Sequence, residues 1–224
     1  IAKILITAKG LDVNYRYTTI DKQPNSTSKR KQSSCKMVNL NNNITTNYIQ
    51  TPLLLAVKKS RIELVDLIIN HSSFDSSKSM VNECIFIACD KQDSDIFAKL
   101  LKLTNINIVD EFGCSLLENA VNSGLTSTVT EILNNETFNL SKNYFMKAFI
   151  LSFTSKFSSL EIIKELIEYD SKHNHYIDFK KGLPDGRSYF TILSQNSLKI
   201  YQIVKFLIEE GADPNQPDRS GIYP

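Results

Sequence analysis

The chain reads as all-α, a row of stacked helix-turn-helix repeats joined by hairpin-like loops. Three observations predict this. Apolar residues recur at i, i+3, i+4 and i+7 over many short stretches, the signature of one helix face, and strand-like alternation is rare. The small residues Ala56, Ala88 and Ala120 stand 32 apart. So do Thr51, Glu83 and Ser115, which open the segments TPLLLAVKKSRIELVDLII, ECIFIACDKQDSDIFAKLL and SLLENAVNSGLTSTVTEIL. The few Gly and Pro residues cluster at segment ends, where helices stop and turn. A fixed period of this size, holding two helices, marks units that cannot bury their apolar faces alone and must lean on their neighbours.

The elements follow in order. Residues 1–14 read as the second helix of a truncated repeat, closed by Gly10 in the left-handed position after a helix. Residues 15–50 break the period. They are rich in Lys, Asn, Ser and Thr, too polar to offset their ordering entropy, and read as a long mobile insertion loop on the hairpin side. Repeats are expected at 51–82, 83–114 and 115–143. Thr51 suits a helix start because its hydroxyl can accept from an unsatisfied backbone N–H, and Pro52 fits the first helical position. The small residues let paired helices approach closely. Leu67-Ile68, Leu100-Leu101, Ile132-Leu133, Leu166-Ile167 and Leu207-Ile208 supply the apolar face of each second helix.

A fourth repeat with an extended loop is expected at 144–187, with Ser152 falling 32 beyond Ala120. Its inter-helix turn reads as about two residues longer than in the third. The segment from Asp170 to Arg187 lengthens the finger that follows. A fifth repeat, with a similarly longer turn, is expected at 188–217, and residues 218–224 read as the start of a further one. Both ends cut through repeats, and neither looks like a polar capping unit, so further repeats are expected on either side.

Several of these residues resemble the ankyrin repeat. Thr51-Pro52-Leu53-Leu54-Leu55-Ala56 is similar to its T-P-L-H-x-A signature, with Leu54 in place of His. Glu63-Leu64-Val65-Asp66-Leu67-Ile68 looks like the E-V-V-x-L-L of the second helix. Gly211-Ala212-Asp213-Pro214-Asn215 and Gly10-Leu11-Asp12-Val13-Asn14 resemble the G-A-D-x-N turn. Asp110-Glu111-Phe112-Gly113 and Asp218-Arg219-Ser220-Gly221 resemble the D-x-x-G of the hairpin tip. The resemblance covers nearly the whole chain and is most degenerate in the middle.

The resemblance implies an ankyrin-type solenoid that binds a partner protein through hairpin tips and the exposed ends of first helices. Carried onto this chain, the tip positions are Glu111, Phe112, Cys114, Arg219 and Ser220. The helix positions are Lys58, Lys59, Asp90, Lys91, Asn122, Ser123, Gln195 and Asn196. Phe112 is the residue of most interest, an aromatic anchor if exposed, a packing residue if it tucks against the neighbouring finger.

Composition narrows the alternatives. Of 224 residues, 42% are hydrophobic and 22% charged, an ordinary globular balance. The formal net charge of +2 gives no reason to expect a nucleic-acid or membrane-surface partner. Apolar runs are broken by charges well short of the roughly 20 residues a membrane span needs. Cys35, Cys84, Cys89 and Cys114 form no CxxC pair, and three sit in apolar segments, as thiols do in a reducing compartment. The cytoplasm is the expected location, with the nucleus as alternative.

There is no G-x-S-x-G, no phosphate-cradling glycine loop and no HExxH, so no enzyme activity, cofactor, metal or small-molecule substrate is expected. Asp170, His173, His175 and Asp178 have metal-ligating chemistry, but nothing in the sequence fixes their geometry. The run Ser28-Lys29-Arg30-Lys31-Gln32-Ser33-Ser34 would suit a kinase that prefers basic surroundings, an acidic surface or an import signal, and reads most simply as a solvated charge run. Two functions remain in view: a protein-binding scaffold, or a regulatory ankyrin segment of a larger enzyme or membrane protein.

Overall fold

Helices are set up by short polar signals at their ends and held by apolar stripes on their sides. The computed structural model describes residues 12–20, 47–157, 159–194 and 200–224. Two strands come first, β1 (Tyr17–Ile20) and β2 (Asn47–Gln50). Ten helices follow among the described residues: α1 (Pro52–Lys58), α2 (Ile62–Ile69), α3 (Val81–Asp90), α4 (Ser94–Leu101), α5 (Leu116–Ser123), α6 (Thr126–Leu133), α7 (Lys142–Thr154), α8 (Leu160–His173), α9 (Tyr189–Ser194) and α10 (Ile200–Glu209). The chain divides into two compact units, 1–119 and 120–224, with the boundary inside α5.

Some helix starts use a side-chain oxygen, as the sequence suggests at Thr51, while α2, α3, α6, α7 and α8 carry no side-chain cap. Thr51 Oγ1 accepts from Leu54 N at 3.2 Å, and Pro52 opens α1. Ser115 Oγ accepts from Glu118 N at 3.2 Å, while Glu118 Oε1 accepts from Ser115 N at 3.4 Å and from Ser115 Oγ at 3.0 Å, a reciprocal cap of α5. Ser188 Oγ accepts from Thr191 N at 3.1 Å and starts α9. Helices α3 and α7 lack such a start at the matching positions and run further back, to Val81 and Lys142.

One turn recurs between paired helices. The carbonyls of Ala56, Ala88 and Ala120 accept from the N–H groups of Arg61, Asp93 and Leu125 at 2.9, 3.0 and 3.2 Å. The intervening Ser60, Gln92 and Gly124 are left-handed, at φ 49°, 58° and 70°. This closure satisfies carbonyls that a helix end leaves open.

The core follows the small-residue register. Ala56, Ala88, Ala120 and Ser152 are all buried. On the second helices Ile68, Leu100, Ile132, Leu166 and Leu207 are buried, while Leu67, Leu101 and Ile167 are only partly covered and Ile208 is exposed. In unit 1, α1 packs on α2 and α3, α3 on α4, and α2 on α4. In unit 2, α6 packs on α8, α7 on α8 and α9, and α9 on α10. Phe145, Phe149, Phe153 and Tyr189 are buried there, with Phe149 edge-on to Phe153 at 4.9 Å. Fully burying one such side chain is worth roughly 1.5–3 kcal/mol.

The structure differs from the sequence reading in two places. The described ends of the 15–50 insertion are not loop. Tyr17–Ile20 and Asn47–Gln50 pair antiparallel, with Tyr17 opposite Gln50 and Ile20 opposite Asn47, so the regular structure of the described residues is helical apart from this ladder and an isolated bridge between Val109 and Ser115. Both segments contain β-branched and aromatic residues that favour extended backbone. Residues 21–46, with the Ser28–Ser34 run, lie outside the described residues. The second difference is at Asp170, expected to begin an insertion. Residues 170–173 instead form the last turn of α8.

Candidate functional site

The fingers are built on a small turn whose polar side chain folds back onto its own backbone. Asp12, Asn105, Asn135, Asp178 and Asp213 each accept, through a side-chain oxygen, the N–H two residues on, at 2.9 to 3.0 Å. His71 does the same through Nδ1 to Ser73 N at 3.2 Å. The buried Asn14 then reaches across to the next finger. Its Nδ2 donates to Ser73 O at 2.6 Å, and its Oδ1 accepts from Asp75 N at 2.9 Å and Ser79 Oγ at 2.7 Å.

Two finger tips share one geometry. Asp110 N donates to Cys114 O at 2.9 Å, Gly113 N to Asp110 O at 3.0 Å, and Asp110 Oδ1 accepts from Phe112 N and Cys114 N at 2.9 Å each. Asp218 repeats this with Ile222, Gly221 and Ser220, its Oδ1 accepting from Ser220 N at 2.8 Å and Ile222 N at 2.9 Å. A third tip went unread in the sequence. Leu183 N donates to Arg187 O at 3.0 Å and Gly186 N to Leu183 O at 2.9 Å. Its signal was Pro184-Asp185-Gly186, a turn sequence without the leading Asp. The tip at Asp218 rests on it. Arg219 N donates to Gly186 O at 2.9 Å, and a Cβ on Gly186 would lie 2.4 Å from Arg219 Cδ.

The expected contact residues divide sharply by exposure. Phe112 is 50% exposed at its tip, beside exposed Glu111. Arg219 and Ser220 are exposed. Cys114, however, is buried, its N–H held by Asp110, and it offers no surface. Ser123 is buried too. Both are small residues next to a turn that the fold folds inward, so they are withdrawn from the contact set. On the first-helix ends Lys59, Asp90 and Lys91 are exposed, while Lys58 and Asn122 are half-buried. Lys91 Nζ donates to Ser60 Oγ at 3.3 Å, which sets Lys91 beside the end of α1. Gln195 and Asn196 lie outside the described residues. Leu55 is 40% exposed between two buried neighbours on α1, and no local sequence signal marks it as exposed.

The Asp170 to Asp178 segment is organised by a buried carboxylate, a ring stack and an ion pair. Asp170 is buried, and its two oxygens accept from Tyr176 N and Ile177 N at 2.9 Å each. His173 stacks on Tyr169 at 4.3 Å. Asp178 pairs with Lys181 at 2.9 Å, and this hydrogen bond holds its carboxyl below the usual aspartate range. Among the described residues no three of His, Cys, Asp and Glu gather as a metal site. Cys84 is buried, and that desolvation pushes its thiol up. No helix among the described residues is long and apolar enough to cross a membrane.

No profile of a known protein family matches the chain. A protein of Acanthamoeba polyphaga mimivirus, named as an ankyrin repeat protein, is 26% identical to it over 179 residues. This similarity over most of the chain supports the resemblance to ankyrin repeats. The matched stretch is 79% of this chain and 27% of the relative, so the chain spans about a quarter of that protein's length.

Proposed function

We propose that the chain is a non-enzymatic protein-binding scaffold of ankyrin type, docking a partner protein through finger tips and exposed first-helix ends. Its units are the repeats 51–82, 83–114, 115–143, 144–187 and 188–217. Buried small residues at 56, 88, 120 and 152 and the shared inter-helix turns support that division. The mimivirus relative's name supports the family, and the interaction role follows from it.

One observation carries the binding reading. Phe112 stands half-exposed on a tip whose backbone is closed by three hydrogen bonds to Asp110 and a fourth from it. A rigid turn that holds an aromatic ring in solvent presents contact area with little ordering entropy left to lose. Half of the side chain's surface stays in water in the isolated chain.

The test is affinity capture with the chain as bait, from cells that express it, with retained proteins identified by mass spectrometry. The expected result is a partner retained by the wild type and reduced at least about tenfold by Phe112→Ala, the loss of a typical aromatic anchor. Thermal unfolding of the variant should match wild type, since the ring is half in water. A wild-type bait that retains nothing specific ends the scaffold reading. Equal capture by Phe112→Ala moves the binding face away from this tip.

A further inference from the structure

We infer that the adjoining ends of α1 and α3 accept an acidic segment of the partner that also carries a large apolar side chain. This rests on the scaffold reading above and names the chemistry of the partner.

Leu55 and Lys59 are four residues apart at the end of α1, and Ile87 and Lys91 are four apart at the end of α3, so each pair shares a helix face. The two helices pack against each other. Leu55 is exposed, Ile87 half-buried, and Lys59 and Lys91 exposed. The hydrogen bond from Lys91 Nζ to Ser60 Oγ draws the charged ends of the two columns together. Lys58 and Arg61 flank the same turn. The result is an apolar strip with a cluster of four cations at one end.

Two other cations of unit 1 are held in ion pairs. Lys78 pairs with Asp75 at 3.2 Å and Lys99 with Asp66 at 2.8 Å. Among the described residues, Lys58, Lys59, Arg61 and Lys91 form no ion pair. The carboxylates nearest to them in sequence are Glu63 on α2 and Asp90 on α3, and Asp93 is engaged with Ile96 N at 3.2 Å. Like charges that outnumber the carboxylates near them repel, and an incoming anion relieves that repulsion. A nucleic acid would answer to the charge alone, but the neighbouring apolar side chains are aliphatic and offer no ring for a base to stack on. A carboxylate-rich peptide with a leucine-like residue matches both halves of the surface.

The test uses labelled probes and fluorescence anisotropy on the full chain. The probes are a short peptide alternating Leu and Glu, the same peptide with Lys for Glu, and a single-stranded oligothymidylate. The Leu–Glu peptide should bind, weaken with added salt, and lose at least about tenfold in affinity with Lys59→Glu plus Lys91→Glu or with Leu55→Ser. Circular dichroism should show the variants folded, as all three side chains are exposed. No binding of the acidic peptide, indifference to the charge reversal, or tighter binding of the oligonucleotide overturns the inference. The partner captured by the wild-type bait separates the two readings. If Phe112→Ala loses it and the double reversal keeps it, this inference fails and the scaffold reading stands.

Discussion

Ser60 and Gln92 hold the same left-handed backbone conformation at the same place in successive inter-helix turns, at φ 49° and 58°. Gly124 holds it in the third, at φ 70°. Only glycine adopts this conformation without strain, and other residues lose roughly 1–2 kcal/mol there. A Cβ on Gly124 would also lie 2.6 Å from Phe157 Cβ. Gly124→Ala should therefore destabilise by about 1–3 kcal/mol. Ser60→Gly should be neutral to stabilising by up to about 1 kcal/mol, as relieved strain offsets the extra freedom of the unfolded chain. Urea unfolding midpoints measure both. A neutral Gly124→Ala would mean that the turn relaxes and the shared geometry is not required.

Asn14 joins three groups of the following finger, Ser73 O, Asp75 N and Ser79 Oγ, from a buried position. Asn14→Ala leaves Asp75 N and Ser73 O without these partners and should cost about 2–3 kcal/mol. Asn215 occupies the equivalent place in the last turn but is exposed. Asn215→Ala should stay within about 0.5 kcal/mol. The contrast between the two variants in the same denaturation assay is the informative quantity. Equal losses would show that the turn itself, and not the reach to the next finger, carries the energy.

What was legible in the sequence had a local cause. Thr51-Pro52 states a helix start in two residues, Gly211 a helix stop, and Asp110 with Gly113 a tip. The two-residue lengthening of the fourth inter-helix turn shows as a spacing of 14 from Ser152 to Leu166, both buried, against 12 from Ala120 to Ile132. What stayed hidden depended on distant or inconspicuous neighbours. The partner of Tyr17 lies beyond a long polar stretch, so nothing near Tyr17 announces a strand. The Leu183 tip lacks the leading Asp of the other two and is fastened instead by Asp185, whose Oδ1 accepts from Arg187 N at 3.0 Å. Cys114 and Ser123 are small enough for either side of the surface, and only the packed turn decides which.

Ala88 is fully buried in the first helix of its pair, with α3 packed on both α1 and α4. A larger side chain has no space there. Ala88→Leu should destabilise by about 1–3 kcal/mol through overpacking. Ala88→Gly should cost about 1 kcal/mol, from helix propensity rather than crowding. If Leu were tolerated as well as Ala in a thermal melt, the small-residue register would not be what sets helix approach.

Asp178 and Lys181 set opposite ends of one pH profile. The Lys181 hydrogen bond, then that of Lys180 N, holds the Asp178 carboxyl below its usual value, and the same contact holds the Lys181 ammonium above its own. A lowered aspartate stabilises the folded chain above the ordinary value near about 4, and this is lost as the pH falls through the folded value. A raised lysine stabilises below its ordinary value near about 10.4, and this is lost as the pH rises through the folded value. Both groups face water, so salt should weaken the effect. Carbon-detected NMR titration should place the Asp178 midpoint below the ordinary aspartate value, and Lys181→Met should move it upward. Lys180 N would remain as a donor to Asp178 Oδ1, at 3.0 Å, so the return should be partial. A midpoint unmoved by Lys181→Met would assign the depression to the backbone bond alone and remove the alkaline arm of the profile.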